Sequence, residues 1–521
     1  MGEPRGRRIR LGVTACFVAA ASLGAAAGGP APPAGADADR LDMFRLRAGA
    51  PLVERLVRHG YDVAATRAAP GGLEADLVLS PAEHARLTEQ GLPLTRWRSA
   101  DGRTVLDLVR QAASRGYTVW RSYDEPGGLR EEMEELARTH PDLVQLKEIG
   151  RSGEGRPILA LRVTAGAPDV ADGSRPAVLH LSLQHAREWI SGEVNRRLLR
   201  SYVEGYGTDP QVTALVDSRE LWFVPVANPD GYERTFDGDR LWRKTTRDNN
   251  GDGRVTLADG VDLNRNFPDH WGFDPEGSSD RGDSQSYRGP AEASEPETQA
   301  IVGLMGRIPF RFLVNYHSYG RLLLYPFGWQ EQTPAADQPI YGALAGTPTN
   351  PAIPGYDPQL STELYVTNGE TTSWAHAATG TLGFTPELGE GLPGSGFLFP
   401  DNEALIRQEY EINRPFALDL ARSAAHPSLP RSHLGHTTPA MVVDTFDVSY
   451  GPAQPVQATV ARRLGDVVLR FRINGGTTAT APAAEWDGGV RYGGAGDVHY
   501  RVVRGVATGA VAGDRVEAWF E

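Results

Sequence analysis

Four apolar runs constrain this chain most: "PAVLHLSLQ" (176–184), "LWFVPVAN" (221–228), "FRFLVNYHS" (310–318) and "GFTPELG" (383–389). They are continuous rather than alternating, as strands buried on both faces are. Between and beside them lie helical patterns such as "GGLREEMEELARTHP" (127–141) and "DNEALIRQEYEINRPFALDLARSAA" (401–425), the second with a candidate kink at Pro415. Apolar strands separated by helices predict an α/β unit over 117–425: a mixed, mostly parallel sheet with helices on both faces.

A chain of 521 residues has room for about two to four domains. Residues 41–98 read β-α-β-β-α-β, a ferredoxin-like order. "TVLDLVRQAASRG" follows as a connecting helix with Val105, Leu108 and Val109 on one face and Gly116 at its end. Residues 37–116 thus form an N-terminal α+β unit. A Pro/Ser/His-rich linker spans 426–439, and 440–521 alternates strands with Gly-rich turns, predicting a small β-sandwich. No internal repeat is present.

Residues 1–36 read as an export signal. "RGRRIR" is basic, Leu11–Ala27 is apolar, and Ala34-Gly35-Ala36 offers small residues for cleavage. The run is short and dilute for a membrane anchor. Arg7-Arg8 matches part of a twin-arginine signal. Cys16 is the only cysteine, and "VTAC" precedes most of the apolar run, the wrong order for a lipoprotein box. A mature form therefore has no disulfide and no thiolate. The expectation is a secreted protein with no membrane association after signal removal. A net charge of −13 argues against nucleic acid as the main partner.

Three of the apolar runs lead into groups suited to a metal. The first leads to His185 and Glu188, the third to His317, and the fourth to Glu387. Catalytic zinc takes three such side chains and leaves a position open. His-x-x-Glu by itself also arises as a buried imidazole beside an exposed carboxylate. Three strand ends converging on one crevice are less easily accidental, because α/β sheets bind ligands at their carboxyl ends. There is no His-Glu-x-x-His helix and no Gly-x-Ser-x-Gly elbow.

From "IGRSGEGRPI" (149–158) to the last helix, the sequence resembles the zinc metallocarboxypeptidases of the carboxypeptidase A/B type. "HAREW" matches the first metal motif, which makes His185 and Glu188 ligands, and "NYHSY" supplies His317. "TPEL" carries the general base, Glu387. "LWRK" carries Arg243, which in the family polarises the scissile carbonyl. "DLNRNF" carries Asn264 and Arg265 for the substrate's terminal carboxylate, with Asp262 as the carboxylate behind a ligand histidine. "LYVTNGETTSW" places Tyr365 as the closing tyrosine. The resemblance implies one Zn2+ per chain and an exopeptidase acting on peptides or proteins with a free C-terminus; the expected state is a monomer.

By the same resemblance Thr372 sits at the base of the side-chain pocket, where basic-specific relatives carry aspartate and hydrophobic-specific ones a bulky aliphatic residue. Glu370 is placed to reach a basic side chain, and Leu324, Leu360 and Thr385 to line the wall. This predicts acceptance of both hydrophobic and basic residues. "DNNGDGRVTLAD" (248–259) sets Asp248, Asn250, Asp252 and Asp259 at positions one, three, five and twelve of a calcium loop, predicting Ca2+. Residues 37–116 resemble an inhibitory propeptide, with Arg98, Arg103, Arg110 and Arg115 as candidate cleavage sites. Two alternatives are the trimming of cell-wall peptides and an inactive adhesion protein; every catalytic-type residue is present, which disfavours the second.

Overall fold

The computed structural model describes residues 40–521 except 100, 238, 392–395, 446–450 and 487–496. The expected signal, residues 1–36 with Arg7, Arg8 and Cys16, lies outside the described residues. Among these, no helix is long and apolar enough to cross a membrane.

The N-terminal unit contains β1 (Asp42–Ala48), α1 (Ala50–Arg58), β2 (Asp62–Ala69), β3 (Gly72–Leu79), α2 (Pro81–Glu89) and β4 (Thr95–Arg96), in the expected order. Its antiparallel sheet runs β2-β3-β1-β4. Ser80 with Glu83, and Thr104 with Asp107, form capping boxes that start α2 and the connecting helix α3 (Val105–Arg115). Gly116 ends α3 at a φ of 73°.

The second unit begins with α4 (Leu129–Thr139), β5 (Val144–Arg151), β6 (Pro157–Val163), β7 (Ala177–Ser182), α5 (Trp189–Gly205), α6 (Pro210–Ser218), β8 (Glu220–Val224) and α7 (Pro229–Phe236). It continues through α8 (Pro296–Arg307), β9 (Phe310–Tyr316), β10 (Leu322–Tyr325), α9 (Gln338–Ala345) and a small ribbon of β11 (Gly346–Thr347) and β12 (Asn350–Pro351). It ends with β13 (Asp357–Leu360), α10 (Ser361–Leu364), α11 (Thr371–Thr379), β14 (Leu382–Glu387) and α12 (Glu403–Ser423), which runs through Pro415 as one helix.

Eight strands form one mixed sheet in the order β13-β10-β14-β9-β7-β8-β6-β5. Its centre, β14-β9-β7-β8, is parallel. Side chains alternate between two apolar layers: Val178, Phe312 and Val314 face α4, α5, α9 and α12, whereas Leu179, Leu181 and Leu313 face α8 and α11. His180 shares the first face. Its ring stacks on Phe223 at 4.8 Å, neither nitrogen has a partner among the described residues, and burial pushes its pKa down to about 3. It packs as a neutral aromatic ring.

The C-terminal unit is an antiparallel sheet, consistent with the expected β-sandwich: β15 (Met441–Val443), β16 (Ala453–Ala461), β17 (Val468–Ile473), β18 (Ala479–Glu485), β19 (Tyr500–Thr508) and β20 (Val516–Phe520), ordered β15-β16-β19-β18-β17-β20. It has its own core around Val456, Leu469 and Val503, yet Ala461 and Tyr500 join the main core of the second unit. The segment read as a linker is also anchored. His433 Nδ1 lies 2.6 Å from Asp419 on α12, and the Arg431 amide donates to Ser423.

Candidate metal centre and active site

The three parallel strands β7, β9 and β14 are neighbours, so their carboxyl ends open at one place. The chain leaves β7 through Leu183, whose φ of 51° is rare for a bulky residue. Its side chain rests over Gly192 of α5, where an added methyl group would lie 2.6 Å from Leu183 Cδ1. That turn carries His185, and Glu188 follows at the N-cap of α5. His317 immediately follows β9, and Glu387 is the last residue of β14, bridged to His317 through the backbone.

His185, Glu188 and His317 converge. His185 Nδ1 lies 2.9 Å from Glu188 Oε1, His317 Nδ1 lies 3.0 Å from Glu188 Oε2, and the two Nδ1 atoms are 3.0 Å apart. All three side chains are buried. Two imidazole nitrogens and a carboxylate meeting this closely direct lone pairs at one point. A cation there removes the repulsion, so the donor set fits zinc.

The surrounding charges follow the same geometry. The Glu188 carboxyl lies below its ordinary range: burial opposes this, but the adjacent His185 and His317 prevail. His317 is raised because the Glu188 carboxylate outweighs burial. Asp262 bridges His185 Nε2 at 3.1 Å and the Arg243 guanidinium at 2.7 Å. The Asp262 carboxyl is held far down against burial, chiefly by Arg243. Burial pushes Glu387 up to about 7; the Glu188 carboxylate adds to this, while His317, Arg243 and Arg265 oppose it.

Arg265 is buried beside this cluster, donating to the Asn264 carbonyl at 2.7 Å. Among the described residues its Nε has no partner and no carboxylate forms an ion pair with it. The Tyr365 ring, at the end of α10, lies 5.8 Å from its guanidinium. Asn264 Oδ1 accepts from the Thr371 amide and hydroxyl, which ties this loop to the start of α11.

Glu370 is buried at the N-cap of α11, not in solvent. It accepts from the hydroxyls of Ser373, Thr367 and Thr372, and among the described residues no cation pairs with it. Thr372 lies over Gly383 of β14, where a side chain would meet Thr372 Cβ at 2.9 Å. Leu324 pairs across the sheet with Thr385, and Leu360 with Tyr325.

The calcium expectation is not supported. Asp248, Asp252 and Asp259 do not converge as a metal-binding group. Asp259 is buried, its oxygens taken by the amides of Asn249 and Thr256 and by the Thr256 hydroxyl. The Asp248 carboxylate accepts the amides of Gly251, Asp252 and Gly253. The pattern folds as a turn stabilised by its own backbone, because position twelve bonds inward.

Arg187, within "HAREW", and Asp62, on β2, received no role from the sequence. Arg187 is buried, lies 3.9 Å over the Phe397 ring, and pairs with Asp62 at 2.7 Å. The carboxylate of Asp62 also acts on Arg243 and Tyr365. Around it Leu41, Met43, Val78, Trp97 and Val105 pack on Leu241, Tyr319 and Phe397. Gly60 lies against the Ser284 hydroxyl, which donates to its carbonyl at 3.0 Å. The N-terminal unit therefore packs on the second unit, with Asp62 against the arginine of the metal motif. An arginine between two candidate ligands was the available signal; its partner lies too far away in sequence to be read from it.

The zinc carboxypeptidase family profile matches residues 129–414. Carboxypeptidase A1 of Bos taurus is 32% identical over 304 residues, 57% of this chain and 68% of the relative. Metallocarboxypeptidase A of Arthroderma otae is 29% identical over 362 residues, 64% of this chain and 81% of the relative. Among solved structures, carboxypeptidase A from Helicoverpa armigera aligns over 75% of this chain and 98% of its own, with 25% identity and a TM-score of 0.59. Thrombin activatable fibrinolysis inhibitor shares the fold over 74% of this chain and 99% of its own, with 23% identity and a TM-score of 0.59. A His-Glu-His cluster at the carboxyl end of a mixed sheet, in a chain matched in this way, places the protein in the zinc carboxypeptidase family, hydrolases that act on peptides.

Proposed function

We propose that the protein is a secreted carboxypeptidase that removes single C-terminal residues, hydrophobic or basic, from peptides. The observation that carries this reading is Arg265: a buried guanidinium beside the metal cluster that, among the described residues, forms no ion pair with a carboxylate. A substrate's terminal carboxylate fits its planar fork. Asn264, anchored through Oδ1, keeps its amide nitrogen as a donor to the same group. Tyr365 lies against Arg265 and closes over the bound end.

His185, Glu188 and His317 would hold the zinc, which supplies Lewis acidity and makes water nucleophilic near neutral pH. Glu387 takes the proton from the attacking water and passes it to the leaving amine. Arg243, held by Asp262, stabilises charge developing on the carbonyl oxygen. Asp262 also orients His185 through Nε2. The test is release of the last residue from blocked dipeptides ending in Phe, Leu, Arg, Lys or Glu, before and after chelation. Chelator-sensitive release is expected; none from folded, zinc-loaded protein freed of residues 37–116 overturns the proposal.

Glu370 supports the dual pocket, as a buried carboxylate beside Thr372 that pairs with no cation among the described residues. Glu370→Gln is expected to lower kcat/KM for Arg and Lys by about tenfold to a hundredfold and to leave Phe within about threefold. Equal losses for Phe and Arg would refute that role.

The N-terminal unit is proposed as an inhibitory propeptide, because Asp62 pairs with Arg187 and the unit packs on Leu241, Tyr319 and Phe397 of the second unit. Arg98 and Arg115 are exposed, at the end of the sheet and in the last turn of α3. Arg110 lies within the helix, where backbone is poorly presented to a protease. Cleavage near Arg98 or Arg115 is expected to raise activity at least tenfold, measured on one dipeptide before and after limited trypsin treatment. Equal activity in the intact chain would disprove inhibition.

A further inference from the structure

We propose that Asp337, His376 and Asp497 form a second metal site, taking a zinc-class divalent cation that clamps the C-terminal unit to the helix beneath the side-chain pocket. The site stands independently of the roles proposed for the first cluster. One donor atom from each residue lies within 4.8 Å of the other two. His376 Nε2 is 3.0 Å from Asp497 Oδ1, and the Asp337 amide donates to the same oxygen at 3.1 Å. Asp337 and His376 are wholly buried, and the Asp497 side chain is 6% exposed.

Charge gives the second argument. Two carboxylates face one imidazole, and among the described residues no lysine or arginine pairs with either. With a neutral imidazole the pocket carries two buried negative charges, an expensive arrangement without a cation. Imidazole with carboxylates is a donor set suited to zinc.

The groups are also held in place from behind. The amides of His499 and Tyr500 donate to Asp337 Oδ1 at 3.1 and 2.7 Å and that of Val498 to Oδ2 at 3.1 Å, leaving Oδ2 a further lone pair. His376 Nδ1 meets the Tyr341 hydroxyl at 2.9 Å, which fixes the ring and directs Nε2 towards the two carboxylates. Metal-bound histidines are oriented in the same way by their second nitrogen. The residues come from the start of α9, from α11, and from just before β19. Since α11 begins at Thr371 and Thr372, a cation here would link the C-terminal unit to the pocket wall.

The experiment is metal counting by mass spectrometry on the full chain, equilibrated with Zn2+ and then with Co2+ in metal-free buffer. Two equivalents are expected for the native protein. Asp497→Asn and His376→Gln should each retain one and still hydrolyse dipeptides once freed of residues 37–116, and Glu188→Gln should lose the other. The Co2+ absorption bands should divide between the same two sets of variants. A single equivalent in the native chain overturns the proposal, as does a second equivalent that survives Asp497→Asn. If His376→Gln fails to fold, the native count and the near-isosteric Asp497→Asn still decide.

Discussion

Replacing Glu387 with glutamine is expected to lower kcat/KM for every blocked dipeptide by about 10²–10⁴-fold, the usual contribution of a placed acid–base group. Zinc content should remain unchanged, because the carboxylate is not one of the three converging donors. The substitution keeps the shape of the side chain and removes its capacity to carry a proton. Glu387 works as a base only when ionised, so native activity should fall as pH falls through its pKa. Burial sets that pKa high, at about 7. A dication bound beside it favours the carboxylate and moves the acid limb lower. The limb should vanish in the variant. Retention of more than a tenth of native activity, measured with metal content on the same sample, would remove Glu387 from the reaction.

Arg265→Ala should produce a second large loss, confined to substrates with a free C-terminus. Truncating one partner of a buried charge pair costs about 2–5 kcal/mol, or about 30- to 5,000-fold in kcat/KM. Here the other partner arrives with the substrate, so the loss falls on its binding and alignment. A C-terminal amide carries no such charge. Native protein should process it poorly, and the variant should change that rate by less than about threefold. An equal loss on acid and amide would mean that Arg265 only supports the fold. Folding is checked by the unfolding midpoint, since the Arg265 guanidinium also donates to the Asn264 carbonyl.

Much of the site was legible because its residues lie at the ends of strongly patterned strands. A continuous apolar run that stops at His185, His317 or Glu387 marks both the sheet and the edge where it opens. The N-terminal unit was legible for a similar reason: short alternating runs and two capping boxes encode its element order locally. His180 shows the limit of residue type as evidence. It is two residues from the end of the same strand that leads to His185, yet it stacks on Phe223 because side chains alternate across a strand. The calcium pattern failed for a comparable reason. Spacing places oxygens along a chain, but Asp259 turned inward to bond Asn249 and Thr256.

The sequence by itself determined the α/β order of the second unit, the three candidate zinc ligands and the residues around them. These depend on periodicity and on motifs a few residues long. Tertiary structure alone decided which distant charges meet. Asp62 reaches Arg187 across 125 positions (187 − 62), and Asp497 reaches His376 across 121. Neither pair has a local signature, because a buried carboxylate and its partner need only be near in space. Burial, which makes such pairs consequential, is a property of the packed chain and not of any segment within it.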